Sequence, residues 1–215
     1  MKILSEQHNI IFFKADSQYE LTSTFWRLQE FYESPKFQGK YFGIEEYMDW
    51  YAEKYGNFTY FVDWSGFNVP GDVVRDFFKN IPHELFVKEA NLYKLLQTYI
   101  DGNERFYAIG VYKEDSTMDH EYSHAFYHVF PKYKEEADKL IDKLPAEFRQ
   151  QMFDNLKEKG YHEDVFADEV IAYLSTNDMP YTKKMAGDVQ VPWETILEFQ
   201  EHFQDWKEEK LDDED

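Results

Sequence analysis

The stretch DHEYSHAFYH, residues 119–128, carries two histidines and a glutamate at a spacing that could hold a metal ion. Residues four apart on a helix share one face and lie about 6 Å apart along the axis, so His120 and His124 can converge on one ion. Zn²⁺ accepts neutral imidazole and lowers the pKa of a bound water toward about 7. Glu121 would then take a proton from that water as general base. The spacing predicts a zinc site with hydrolytic chemistry.

A solvated polar helix face is the alternative interpretation. Met118, Tyr122, Ala125, Phe126 and Val129 would form the apolar stripe of the same helix, with the three polar side chains directed away from it. A surface helix shows the same pattern. Because catalytic zinc sites usually have three protein ligands, the metal interpretation needs a third ligand elsewhere in the chain.

The third ligand is sought among four acidic residues downstream: Glu163, Asp164, Asp168 and Glu169. A helical projection places Glu169 in the middle of an apolar face and places Asp164 and Asp168 on its polar flank. A carboxylate directed into a core costs several kcal/mol unless a metal or a buried salt bridge compensates it. We therefore expect Glu169 to be the third ligand, with a buried salt bridge as the alternative.

The motif HEYSH, followed by a helix that carries DEVIAY, resembles the active site of gluzincin-type zinc metallopeptidases. In that group one helix supplies two histidines and the general base, and a second helix supplies a glutamate. The resemblance covers about residues 105–176. It implies that His120, His124 and Glu169 bind Zn²⁺ as the cofactor and that Glu121 activates the zinc-bound water, with a peptide or protein as substrate.

The resemblance also implies an edge strand directly before the active-site helix. In the family this strand lines the cleft and pairs with an extended peptide. The segment RFYAIGVY, residues 105–112, lies at the corresponding place. Its backbone would hold the substrate by strand addition.

Two positions depart from the family pattern or lie outside it. Tyr173 stands where many gluzincins carry an aspartate that holds a ligand histidine, so Asp168 or Asp119 would have to serve instead. His128 lies about 12 Å along the helix from His120 and cannot share its ion. We expect His128 at the helix end or along the cleft.

Peptide hydrolysis also needs a donor for the tetrahedral oxyanion. Tyr173, Tyr127 and His162 are the candidate donors. Tyr173 lies one turn from Glu169 on the same face and is therefore our candidate for this catalytic role. Packing of Tyr173 against Phe166 in the core is the alternative.

Hydropathy patterns predict an α+β fold. The region 1–102 is predicted as a mixed α/β scaffold or lid, and the region 103–215 as a helical, zincin-like metal-binding region that forms one compact unit with the first. The glycine-containing loop at 101–103 marks the boundary. Predicted strands cover 9–15, 57–64 and 104–115, and a predicted loop covers 65–72. Predicted helices cover 16–34, 43–56, 73–80, 81–102, 117–130, 132–144, 145–160, 163–175 and 193–210.

Composition narrows the class of protein. The formal net charge of −20 opposes binding to nucleic acid or anionic membranes, and no stretch approaches the roughly 20 apolar residues of a membrane span. The chain has no cysteine, which excludes disulfides and thiolate ligands and fits a cytoplasmic protein. Two further interpretations remain open: a non-catalytic domain stabilised by metal, and an acidic interaction protein that mimics nucleic acid.

Overall fold

The computed structural model describes residues 1–79, 84–113, 117–177 and 179–212. The chain divides into two compact units, Met1–Asp115 and Ser116–Asp215. The first unit combines helices with a small mixed sheet, and the described part of the second is helical. The predicted α+β class is thus confirmed. Among the described residues, no helix is both long enough and apolar enough to cross a bilayer.

The sheet of the first unit has four strands in the order β1-β2-β4-β3. Strand β4 pairs in parallel with β2 on one side and antiparallel with β3 on the other. All five residues of β4 are buried, which is typical of a central strand covered on both faces. The strands are β1 (Lys2–Gln7), β2 (Ile10–Lys14), β3 (Gly66–Pro70) and β4 (Tyr107–Val111).

The prediction of an edge strand at 105–112 is therefore wrong. The backbone groups of β4 are used within the sheet, so β4 offers no free edge to an extended peptide. The strand also explains why the first unit extends to Asp115, beyond the glycine loop that the sequence suggested as a boundary. Pairing with β2 and β3 makes β4 part of the N-terminal sheet.

Helices of the first unit surround an aromatic core. Ser17 is the N-cap of the first helix, and its side chain accepts a hydrogen bond from the Glu20 backbone. The second helix ends at Gly56 in the left-handed conformation, which glycine adopts without strain. The helices are α1 (Gln18–Glu33), α2 (Ile44–Tyr55), α3 (Tyr60–Asp63), α4 (Gly71–Lys79) and α5 (Val87–Asp101).

Two short segments differ from their sequence-based assignments. The predicted strand at 57–64 contains helix α3, whose Tyr60 is fully enclosed by aromatic neighbours. The predicted loop at 65–72 contains strand β3, where buried Phe67 stacks on Phe25. Tertiary packing determines the secondary structure of both segments, because each is too short for its hydrophobic periodicity to determine it. Of the predicted helix at 81–102, residues 81–83 lie outside the described part of the chain.

The second unit packs its helices around the pair α6 and α9, which carry the predicted metal ligands. Helix α11 packs against α9, and Phe203 and Trp206 of α11 contact the aromatic side chains Phe126 and Tyr133. The helices are α6 (Thr117–Val129), α7 (Pro131–Lys143), α8 (Ala146–Glu158), α9 (Phe166–Thr176), α10 (Met179–Ala186) and α11 (Trp193–Lys207), with short helical turns at Glu163–Val165 and Glu208–Asp212.

Candidate metal centre

Helix α6 places His120 and His124 on one face, one turn apart. The helix ends at Val129, and Pro131 begins the next helix. The two imidazole rings lie edge to face with centroids 4.8 Å apart, and their Nε2 atoms are 3.2 Å from each other. The i, i+4 geometry expected from the motif is therefore present, with both Nε2 atoms directed to the same point.

Glu169 brings a carboxylate to that point from helix α9. Its Oε1 lies 3.7 Å from Nε2 of His124, and its Oε2 lies 4.0 Å from Nε2 of His120. The side chain is buried, and Oε2 has no hydrogen-bond partner among the described residues. A buried carboxylate oxygen without a partner is costly, and a cation at this point would remove the cost.

The three groups match the dimensions of a metal site. One ligand atom from each of His120, His124 and Glu169 lies within 4.8 Å of the others. Ligand atoms around a tetrahedral zinc ion, each about 2.0–2.1 Å from it, would be roughly 3.4 Å apart. The structure therefore brings together the three side chains that the sequence predicts as ligands, and their donor atoms fit a divalent metal ion.

Neither protein-family models, nor curated proteins, nor solved structures give a match to the chain.

The outward-facing nitrogens of both imidazoles have oxygen neighbours that orient the rings. Nδ1 of His124 lies 3.0 Å from Oδ1 of Asp168. Nδ1 of His120 lies 3.5 Å from Oγ1 of Thr176, whose hydroxyl donates to the Ala172 carbonyl and so leaves its oxygen lone pairs available. Because both neighbours offer oxygen atoms, they favour a proton on each Nδ1, which would leave Nε2 of both rings able to bind a metal ion.

Asp168 links a third histidine to this arrangement. Its Oδ2 lies 3.0 Å from Nε2 of His128, one turn beyond His124 on helix α6. The prediction that Asp168 lies on a polar flank is wrong, because helix α6 covers that flank and buries the carboxylate. The alternative orienting residue, Asp119, accepts instead from the ammonium of Lys207 at 2.7 Å.

Burial and charge give the centre unusual protonation. Burial and the nearby charge of His124 lower the pKa of His120 to about 3. Burial also opposes a charge on His124, but Asp168 and Glu169 outweigh it and raise the pKa of His124 to about 10. Burial raises the pKa of Glu169 to about 7. Asp168 and Glu169 thus favour positive charge on His124, at the place where a metal ion would supply it.

Asp168 is the permanent negative charge of the centre. Burial alone would raise the pKa of its carboxyl group, but the imidazoles of His124 and His128 hold that pKa below its usual range. An ionised Asp168 stabilises positive charge on the ring it contacts. It therefore favours the cationic form of His124 and would also strengthen His124 as a metal ligand.

Glu121, the predicted general base, is buried on helix α6 next to the first ligand. Its charge is near enough to raise the pKa values of both His124 and Glu169. The carboxylate thus belongs to the same electrostatic cluster as the ligand groups.

The three candidate oxyanion donors occupy different surroundings. The ring of Tyr173 lies 4.8 Å from the His120 ring, beside the candidate centre. The hydroxyl of Tyr127 instead donates to Asp138 at 2.8 Å, and His162 pairs with Asp164 next to a short helical turn. Tyr173 is therefore the donor candidate that lies against a candidate ligand. Among the described residues its ring contacts are with His120 and Tyr181, and not with Phe166, the core partner that the sequence suggested.

Thr176 is a site residue that sequence reasoning missed. It lies seven residues after Glu169, and residues seven apart on a helix return to nearly the same face. That spacing was available as a signal in the sequence. The signal becomes specific only when the partner ring of His120 is placed beside helix α9.

Proposed function

We propose that His120, His124 and Glu169 bind Zn²⁺ and that the protein is a zinc-dependent hydrolase acting on peptides. The observation that carries this proposal is the convergence of two Nε2 atoms and a buried, unpartnered carboxylate oxygen. Two imidazoles and one carboxylate form a ligand set that zinc favours. Within the described residues the group has three members, which is the number typical of catalytic zinc sites.

Bound zinc would polarise the substrate carbonyl and acidify the attacking water. Glu121 takes a proton from that water as its oxygen bonds to the carbonyl carbon. The same carboxyl group then returns the proton to the amide nitrogen as the carbon–nitrogen bond breaks. Tyr173, whose ring lies beside His120, would donate to the oxyanion.

The arrangement of α6 and α9 supports a zincin-like interpretation of the second unit. One helix carries the two histidines and the base, and a second helix carries the glutamate. Strand β4 does not fit that interpretation, since both of its edges are paired in the sheet. We therefore propose that substrate binds through side chains near the centre and not by addition to this strand.

The decisive experiment measures zinc and peptide hydrolysis together. After dialysis against zinc, the protein should hold one zinc ion per chain. Glu121→Gln should keep that zinc and lower kcat by about 10²–10⁴-fold, the usual contribution of a general base. His124→Ala should lose the zinc. Glu135→Gln is the matched control, because Glu135 is exposed and pairs only with Lys139 among the described residues.

Two results would reject the proposal at different points. Protein that retains no zinc after dialysis would reject the metal site. Protein that retains zinc but hydrolyses no member of a diverse peptide library would reject the enzymatic activity and leave the metal site standing.

Burial of the centre supports a second candidate, a domain that metal stabilises without catalysis. His124 and Glu169 are 2% and 5% exposed, and Glu121 is 7% exposed. Such burial restricts the approach of a substrate. This candidate predicts one zinc ion and a higher melting temperature, with Glu121→Gln as harmless as Glu135→Gln.

A further inference from the structure

Lys159 lies at the C-terminus of helix α8, on a platform made by two tyrosine rings. Tyr173 and Tyr181 stack with centroids 5.8 Å apart and an interplanar angle of 21°. The Lys159 ammonium lies 4.9 Å and 5.5 Å from the two ring centroids and donates to the Tyr181 hydroxyl at 3.1 Å. The aromatic rings and the hydroxyl fix the position of this exposed cation without neutralising its charge.

Lys159 differs in its partners from several other lysines of this chain. Acidic residues outnumber basic ones by 43 to 23. Lys134, Lys139, Lys143 and Lys207 each pair with an acidic side chain. Within the described residues, Lys159 pairs with none. Its positive charge is therefore available to an anionic ligand.

Lys159 also lies close to the candidate metal centre. The Tyr173 ring that supports its ammonium lies 4.8 Å from the His120 ring. The ammonium and that imidazole are therefore at most about 10 Å apart, roughly the length of three extended residues. The charge of Lys159 also lowers the pKa values of His120 and Glu169, which agrees with this proximity.

His120 marks the side of the centre from which a ligand can arrive. Its side chain is 20% exposed, whereas those of His124 and Glu169 are 2% and 6% exposed. The Tyr173 ring lies against this more accessible ligand. A molecule bound at the centre from this side would therefore extend toward Lys159.

We propose that Lys159, held on the Tyr173–Tyr181 platform, binds the C-terminal carboxylate of the peptide substrate. The inference rests on the proposed metal centre, because the peptide carbonyl would bind there. The distance allows one or two residues between that carbonyl and the terminal carboxylate. The substrate class is thus a peptide with a free C-terminus, from which one or two residues are removed. In so acidic a protein, a local cation is needed to hold this anion near the centre.

The test measures binding to zinc-loaded Glu121→Gln protein, in which hydrolysis cannot deplete the ligand. Three probes are titrated by calorimetry: acetyl-dialanine, its C-terminal amide, and the amidated peptide acetyl-Ala-Glu-amide. We expect the free acid to bind at least about 10-fold more tightly than the amide, as one charged hydrogen bond provides. The glutamate of the third probe carries its carboxylate on the side chain and not at the C-terminus, and it should not restore the affinity.

Four variants of this protein separate recognition from structure. Lys159→Met should remove the preference for the free acid, and Lys159→Arg should retain most of it. Tyr181→Phe should weaken it, because it removes the hydroxyl that holds the ammonium. Lys157→Met is the matched control: it deletes the same charge two residues earlier on the same helix and should leave the preference unchanged.

The outcomes distinguish this inference from the proposed function. Equal binding of acid and amide, or an equal loss of preference in Lys157→Met, would overturn the inference even if the protein holds zinc and hydrolyses peptides. Binding of acetyl-Ala-Glu-amide as tight as that of the free acid, or tighter, would overturn the assignment of the bound carboxylate to a C-terminus. A preference that depends on Lys159 would sustain the inference in a protein without turnover, and measured zinc content reports separately on the metal site.

Discussion

Oδ1 of Asp168 lies 3.0 Å from Nδ1 of His124, on the side of the ring opposite to the candidate metal position. A carboxylate in this position fixes the tautomer of a ligand histidine and increases its basicity. Asp168 directly precedes Glu169 in the chain, so helix α9 carries both a candidate ligand and the carboxylate that lies beside another candidate ligand. The two adjacent carboxylates therefore have different places in the candidate centre.

Asp168→Asn should weaken zinc binding without removing a ligand. The amide keeps the size of the side chain but loses the charge that strengthens His124, so we expect a loss of about 10- to 100-fold in zinc affinity. Competition with a chromophoric chelator measures it. Asp164→Asn, an exposed change on the preceding turn, is the control. An unchanged affinity in folded Asp168→Asn protein would show that the carboxylate does not support the ligand.

Zinc affinity should rise with pH. The metal-free protein binds protons that zinc must displace, since the pKa of Glu169 is raised to about 7 and that of His124 to about 10. Protons compete with zinc for these groups, and raising the pH lowers the proton concentration. The affinity for zinc should therefore increase between about pH 6 and pH 8. Calorimetry in two buffers with different ionisation enthalpies counts the protons released. Binding that is independent of pH, with no proton release, would contradict this description of the centre.

Zinc should also stabilise the fold of the second unit. At a free concentration 100 times its dissociation constant, a ligand of the native state adds about 2.7 kcal/mol to the free energy of unfolding. Circular dichroism melts with zinc and with chelator measure the gain. His120→Ala should abolish it, whereas His162→Ala, next to an exposed turn, should retain it. An equal gain in both variants would place the bound zinc elsewhere.

The predicted ligands come together in the structure because helical spacing constrains them. His120 and His124 are fixed by one turn of α6, and the projection of α9 correctly directs Glu169 inward. The same projection is wrong for Asp168, about 100° away on the helix. Periodicity gives the angle between two side chains, but it cannot show which neighbouring helix covers the flank between them.

Strand β4 shows a second limit of sequence reasoning. Its apolar residues predict a strand correctly, but its place in the sheet depends on pairing with β2, far earlier in the chain, and with β3. The sequence of β3 resembles a loop because glycine and proline lie at its ends. Without β3, the order of the sheet cannot be deduced, and β4 is mistaken for an edge.

The contact between Lys159 and Tyr181 is a third feature that the sequence does not predict. Neither residue belongs to a motif, and the two are separated by helix α9 and its flanking turns. Their contact depends on how α8 packs against α10, which no local pattern encodes. Side chains that would recognise a substrate often come from distant segments of a chain. The candidate metal-binding motif can therefore be identified in the sequence, whereas the pair of Lys159 and Tyr181 cannot.

Arg27→Met should strongly destabilise the first unit. Nε of Arg27 donates to Glu89 at 2.8 Å, and both side chains are almost fully buried. Removing one partner leaves an unpaired buried charge, at a cost of about 3–5 kcal/mol. Urea unfolding measures the loss, and Arg27→Met combined with Glu89→Met should recover part of it. Lys143→Met, which breaks an exposed pair, should cost no more than about 1 kcal/mol; an equal effect would contradict the assignment.

His128→Gln tests whether the third histidine acts on the centre through Asp168. Its Nε2 lies 3.0 Å from Oδ2 of Asp168, so the imidazole restrains the carboxylate that in turn orients His124. Glutamine retains a donor but not the ring, and we expect a loss of zinc affinity of roughly 3- to 10-fold, below the loss for Asp168→Asn. The chelator competition measures both, and combining the two changes should give less than the product of the separate effects, because they act through one carboxylate. Fully multiplicative losses would show that His128 influences the centre by another route.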